Sequence, residues 1–162
     1  MESEFERSVR EFLAREPFCF RNINSDNLAL FCTALTHDSF SNEAKDSDPP
    51  RNIESYERLE FLGDSILEFL VCEHVFKETD IREGPMTDYK QEKVANSKLS
   101  QRIVDSGIGL DNVMRVGNGH KKGQDRCIED NMRADCFEAL LAAVYLSYGL
   151  EEARRLVREM VL

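Results

Sequence analysis

No apolar run in the sequence approaches the roughly 20 residues that a helix needs to cross a bilayer, so nothing in it reads as a membrane span. The opening residues, MESEFERSVREF, are acidic and helical in character, whereas a secretory signal would be basic and then apolar. These two absences point to a cytoplasmic-type protein, with nuclear or organellar siting in a eukaryote left open. Cysteine is sparse and without pattern: Cys19, Cys32, Cys72, Cys127 and Cys136 are odd in number, widely scattered, and form no CxxC pair. That argues against structural zinc and against a disulfide framework, and leaves buried free thiols as the expectation. Repeats and low-complexity tracts are missing, and no segment alternates as a strand would. There is no glycine loop ahead of a helix to cradle a small phosphate, and no nucleophile elbow. His37, Asp38 and Ser39 are consecutive, so they cannot converge on one reacting atom as a hydrolytic triad. Thr36 and Ser39 are expected to brace local backbone instead. His74 and His120 lack the spacing of metal ligands.

What is present fits one domain covering residues 1–162, long enough to bury a core without staples. Hydrophobic residues make up 41% and charged residues 32%, an ordinary globular balance. Residues 2–15 read as an amphipathic helix, with Phe5, Val9, Phe12 and Leu13 on one stripe and Pro17 ending it. Asp26 to Phe40 reads as one or two short helices, and the polar, proline-bearing Asn42 to Ser55 as a loop. A long helix is expected over Tyr56 to Phe76. Gly84–Pro85 should break the chain, with Thr87 capping the next helix. Another helix follows from about Ser97 to Asp105. Val116 to Gly123 holds three glycines and reads as a mobile loop. Arg126 to Tyr148 is the second long helix, stopped by Gly149, and 150–162 forms the last. The fold class is all-α.

The net charge of −10 argues at first against a nucleic-acid partner. Its distribution qualifies that. From Tyr89 to Arg126 eight basic residues stand against four acidic ones, a local +4 that leaves −14 for the rest. A basic surface beside acidic walls is compatible with a phosphate substrate bound near a metal. Within that stretch Lys90, Lys93, Lys98, Lys121, Lys122 and Arg126 are the candidate phosphate contacts.

The two long helices carry carboxylates in an unusual grouping. At about 100° per residue, and counting from Glu57, Leu59, Leu62, Ile66, Phe69 and Leu70 fall in an arc from roughly 120° to 220°, the expected core stripe. Glu57, Glu60 and Asp64 lie within about 60° of one another on the other side. Like charges at such spacings repel, and no lysine is interspersed among them. On the second long helix Phe137, Leu140, Leu141 and Val144 share an apolar arc, with Asp135 and Glu138 together off it. Gly63 and Ser65 on one helix, and Ala139 and Ala142 on the other, would let the helices approach closely and merge the five carboxylates. A merged cluster needs a cation, and hard oxygen ligands with room for water suit Mg2+ best, then Mn2+. Such an ion activates water and stabilises a phosphoryl transition state. A merely solvated acidic face is the alternative on spacing alone. Glu68, one turn beyond the cluster, reads as a surface or salt-bridging residue.

The string from Glu57 to Leu67, ERLEFLGDSIL, closely resembles the signature of the ribonuclease III family. Ala134 to Leu140 (ADCFEAL) is similar to that family's second motif, and Leu35 to Phe40 (LTHDSF) to its N-terminal element. Val94-Ala95-Asn96 followed by Leu99 is similar to a fourth, weaker one. The order and spacing agree over nearly the whole chain. The resemblance implies a helical endonuclease domain that works as a homodimer on double-stranded RNA. It implies 5′-phosphate and 3′-hydroxyl ends with short 3′ overhangs. Glu60, Asp64, Asp135 and Glu138 would be the catalytic and metal-coordinating group, with Glu60 and Glu138 as direct ligands. Asp64 and Asp135 would ligate directly or through water and orient the nucleophile. Glu57 matches a position near the dimer seam that faces RNA. Phe61 lies near 40°, outside the core arc, and matches an aromatic that inserts into a second subunit. The sequence departs from the pattern at Tyr56, where Asn is usual, and at His120, where a Glu often follows the second glycine. The double-stranded-RNA-binding domain that usually comes next is not in these residues, as expected of a short family member or of part of a longer chain. A non-catalytic relative that binds RNA or scaffolds a ribonucleoprotein is the competing function; such relatives tend to lose the acidic set.

Overall fold

The computed structural model describes residues 2–123 and 125–162. In chain order α1 is Glu4–Leu13, α2 Ser25–Ala34, α3 Asp38–Lys45, α4 Glu57–Glu78, α5 Glu83–Val94, α6 Asn96–Ser106 and α7 Leu110–Val113. After a short 3-10 turn, β1 (Lys121–Lys122) and β2 (Asp125–Arg126) pair antiparallel, and α8 (Asp130–Tyr148) and α9 (Leu150–Met160) complete the chain.

Helix α8 is the axis. Every residue from Cys136 to Val144 is buried, so this helix is covered on all sides, with α2, α4, α6 and α9 packed around it. Helix α1 lies outside α2 and begins in a capping box: Glu6 N–H donates to Ser3 Oγ at 3.2 Å, and Ser3 N–H donates to the Glu6 carboxylate at 2.6 Å. As expected, Val9, Phe12 and Leu13 face the core. Helix α8 stops at Gly149, whose φ of 90° only glycine adopts freely.

Several local expectations are corrected. Helix α3 runs on to Lys45 before the proline loop begins. Gly84 and Pro85 start α5 instead of breaking the chain, because the first turn of a helix needs no backbone donor from proline. Thr87 Oγ1 donates back to the Glu83 carbonyl at 3.0 Å and caps nothing. The glycine stretch holds a two-residue hairpin, with Lys121 opposite Arg126, too short to show any periodicity. All five cysteines are free, but of the five Cys136 alone is buried, while Cys19 and Cys72 are exposed.

The core face of α4 is also rotated from expectation. Leu59, Gly63, Ile66, Leu67, Leu70, Val71 and Val75 are buried, whereas Phe69 is 51% exposed. Gly63 decides this: a Cβ there would lie 1.8 Å from the Glu138 carbonyl oxygen, so α4 turns its glycine onto the backbone of α8. No helix among the described residues is long and apolar enough to cross a membrane.

Candidate metal centre

The close approach of α4 and α8 at Gly63 determines where the carboxylates go. Glu60 and Asp64 precede Leu67 and Val71 by seven residues each, about two turns, so they share the packed side of α4 with those buried residues. The carboxylates therefore occupy the N-terminal end of the helix–helix contact and are not on the far side from the core. Oxygens of Glu60, Asp135 and Glu138 all lie within 4.8 Å of one another. Glu138 is buried, only 3% exposed, while Glu60 and Asp135 are half-buried. Asp64 is exposed and stands beside this trio, and its charge acts on Glu138 and Asp135. Glu57 is exposed at the start of α4 and accepts a hydrogen bond from Ser55 Oγ at 2.9 Å.

Burial and mutual repulsion raise the proton affinity of the whole group. Burial pushes Glu138 up to about 8, with the charges of Asp64, Asp135 and Glu60 adding to it. Glu60 is raised by burial and then by Asp135. Asp64 is raised by burial and by Glu68, against the opposing pull of Lys90. Asp135 is raised by burial, partly offset by a hydrogen bond from Asn96. Four carboxylates crowded together and held above their ordinary range form an oxygen-only donor set, which suits a hard divalent cation.

The surroundings hold the two acidic helices in place. Arg133, 8% exposed, forks onto Asp111 (Nε to Oδ1 at 2.7 Å, Nη2 to Oδ2 at 2.6 Å) and donates to Ser100 Oγ at 2.6 Å. It thereby fastens the start of α8 to α6 and to the first residues of α7. Asn96 Nδ2 lies 3.3 Å from both Asn131 Oδ1 and Asp135 Oδ1. Ser39 Oγ accepts from Gly117 N–H at 2.9 Å and sits 2.7 Å from His37 Nδ1, which is the expected bracing role. Thr36 Oγ1 donates to the Cys32 carbonyl at 2.7 Å and accepts from Arg115. Glu43 grips the glycine stretch, accepting Asn118 N–H at 2.6 Å and Nδ2 at 3.0 Å. A carboxylate from α3 thus serves the loop where His120 stands in place of a glutamate. His120 itself packs edge-on against His37, ring centres 5.1 Å apart.

The six basic candidates do not form one patch of equals. Lys98, Lys121 and Lys122 are exposed. Lys90 pairs with Glu68 at 3.3 Å, which gives Glu68 the salt-bridging role expected of it. Lys93 lies 3.5 Å from Glu92 and over the Tyr89 ring. Arg126 Nη1 is committed to the carbonyls of Asp111, Asn112 and Met114, at 3.1, 2.6 and 2.5 Å. Phe61 is 77% exposed, as its position outside the core arc predicts.

Fold and site together define a predominantly helical domain with a cluster of carboxylates where its two longest helices cross. The chain belongs to the Ribonuclease-III-like family, whose profile matches residues 27–162. It is 38% identical over 142 residues to Ribonuclease 3 of Caldanaerobacter subterraneus subsp. tengcongensis, covering 86% of this chain and 58% of that protein. It is 37% identical over 136 residues to Ribonuclease 3 of Syntrophotalea carbinolica, covering 83% of this chain and 56% of that protein. The chain thus spans somewhat over half the length of these curated relatives. The nuclease domain of ribonuclease III from Campylobacter jejuni, described for structural flexibility in a region involved in dimer formation, superimposes with a TM-score of 0.69 at 22% identity. That match covers 96% of this chain and 92% of the other and establishes likeness of fold.

Proposed function

We propose that the chain is a Mg2+-dependent endonuclease of double-stranded RNA that acts as a homodimer. It hydrolyses phosphodiester bonds to leave 5′-phosphate and 3′-hydroxyl ends with short 3′ overhangs. The observation that carries the reading is the convergence of Glu60, Asp135 and Glu138, with Asp64 beside them, in a buried-to-half-buried cluster. A solvated acidic face would keep its carboxylates apart and in water, and a non-catalytic scaffold would have no use for the cost of burying Glu138.

Glu60 and Glu138 are the proposed direct ligands; Asp64 and Asp135 ligate directly or through water and orient the attacking water. Bound there, Mg2+ or Mn2+ would supply charge to the phosphoryl oxygens and lower the pKa of water. Lys98, Lys121 and Lys122 offer exposed charge to backbone phosphates. Lys90, Lys93 and Arg126 belong to the same proposed footprint, although each also has a partner within the chain. Glu57 faces the RNA near the dimer seam, and Phe61 is the dimer anchor. The test is incubation with long double-stranded RNA in Mg2+, in Mn2+ and in chelator, with the product ends mapped. Short duplexes with staggered ends are expected with either ion and none with chelator. Absence of cutting with both ions, or cutting that persists in chelator, overturns the proposal.

A further inference from the structure

Helix α6 is joined to α8 by polar contacts at two successive turns. At its first residue, Asn96 Nδ2 lies 3.3 Å from Asn131 Oδ1 and 3.3 Å from Asp135 Oδ1. Four residues on, Ser100 Oγ donates to Asp130 Oδ1 at 2.8 Å and accepts from Arg133 Nη1 at 2.6 Å. The second contact ties helix to helix. The first does something more, because it ends on a member of the carboxylate cluster.

Resting on the metal-centre reading above, we propose that Asn96 is a positioning residue for the cation: its side-chain amide fixes the orientation from which Asp135 shares an ion with Glu60 and Glu138. Asp135 needs such a restraint. Asp64 repels its charge, and a carboxylate on a half-exposed helix position relieves that repulsion by turning to water. A donor on the α6 side opposes the turn. An amide suits the task better than a lysine would, since it orients the carboxylate without neutralising the charge that draws the cation. Asn131 is held by the same Nδ2 group and shares in orienting the amide from the first turn of α8.

The experiment is Mn2+ binding to the metal-free full chain, followed by calorimetry or by the free-ion electron paramagnetic resonance signal, with no RNA present. Asn96→Ala should weaken Mn2+ binding roughly 10- to 100-fold, the usual scale for removing a partner that orients a ligand. In cleavage assays it should raise the metal concentration for half-maximal rate and leave the KM for RNA unchanged. Ser100→Ala breaks the neighbouring contact without reaching Asp135, so it should lower thermal stability and keep parent-like Mn2+ affinity. Asn96→Ser, shorter and favoured at a helix start, gives the same readout should the alanine variant not fold. Parent-like Mn2+ binding in the Asn96 variants, with binding lost in Glu138→Gln, overturns this inference alone. A parent protein that binds no Mn2+, or a Glu138→Gln protein that binds it unchanged, overturns the metal-centre reading and this inference with it.

Discussion

Glu138 is the carboxylate most at odds with its surroundings, since burial and four neighbouring charges push it from an ordinary value of 4.5 up to about 8. Between those values the folded chain holds a proton that the unfolded chain releases. The stability this contributes is complete below about 4.5 and is lost as pH rises through about 8. In chelator, the melting temperature of the parent should therefore fall between pH 5 and pH 9, and Mg2+ should flatten the fall by favouring the ionised form. Glu138→Gln keeps the size and cannot ionise. Its melting temperature in chelator at pH 9 should exceed the parent's, while cleavage drops by about a hundredfold or more, as loss of several kcal/mol of charge stabilisation requires. A variant that cuts at the parent rate in Mg2+ refutes the assignment; one that melts below the parent at pH 9 refutes the electrostatics. The spacing in the sequence showed that Glu57, Glu60 and Asp64 face one way, because i, i+3 and i+7 positions on a helix must, while the family resemblance set them apart from a solvated acidic face. The burial of Glu138 was hidden, since α8 is apolar on nearly every side and no stripe marks which face meets α4. Asn96 and Glu43 were hidden for another reason: their partners lie 39 and 75 residues away.

At the scale of elements the α4–α8 crossing carries the site, and Gly63 carries the crossing. A methyl group there would sit 1.8 Å from the Glu138 carbonyl oxygen, backbone that cannot rotate out of the way. Gly63→Ala should push the helices apart, destabilise the fold by about 1–3 kcal/mol or more in urea unfolding, and weaken Mn2+ binding with it. A parent-like unfolding midpoint would mean that the helices have slack that this packing denies. The long helices and the small residues at their contact were readable because periodicity over many turns is a strong signal. The hairpin β1–β2 was not, and it matters, since it presents exposed Lys121 and Lys122 on a defined support. Each lysine that touches a phosphate adds roughly 0.9 to the slope of log affinity against log salt. Neutralising both as Lys121→Gln and Lys122→Gln should reduce that slope by nearly two. An unchanged slope removes the hairpin from the RNA footprint.

The whole molecule leaves an apolar surface uncovered that its own core does not explain. Phe61, Phe69 and Phe76 on α4 are 77%, 51% and 75% exposed. At about 100° per residue the three fall within roughly 80° of one another, so they line one face of the helix. Helix α5, packed beside α4, buries none of its residues. Exposed aromatics aligned in this way suit a contact surface, and Phe61 stands next to Glu60 of the acidic cluster. One chain offers one carboxylate cluster, whereas a staggered cut through a duplex needs two at fixed separation. The proposed two-fold dimer would supply the second, because each subunit would present the same surface to the other. An aromatic anchor in a desolvated pocket commonly costs at least about 2 kcal/mol when truncated, a factor of roughly 30 in association. Phe61→Ala should therefore shift sedimentation at micromolar concentration toward monomer and weaken double-strand cutting, with helicity and Mn2+ affinity unchanged. Nicking of one strand should persist relative to paired cutting as the dimer is diluted. A parent protein that sediments as a stable monomer and still makes paired, staggered cuts would sink this account, because no single acidic centre reaches both strands at once.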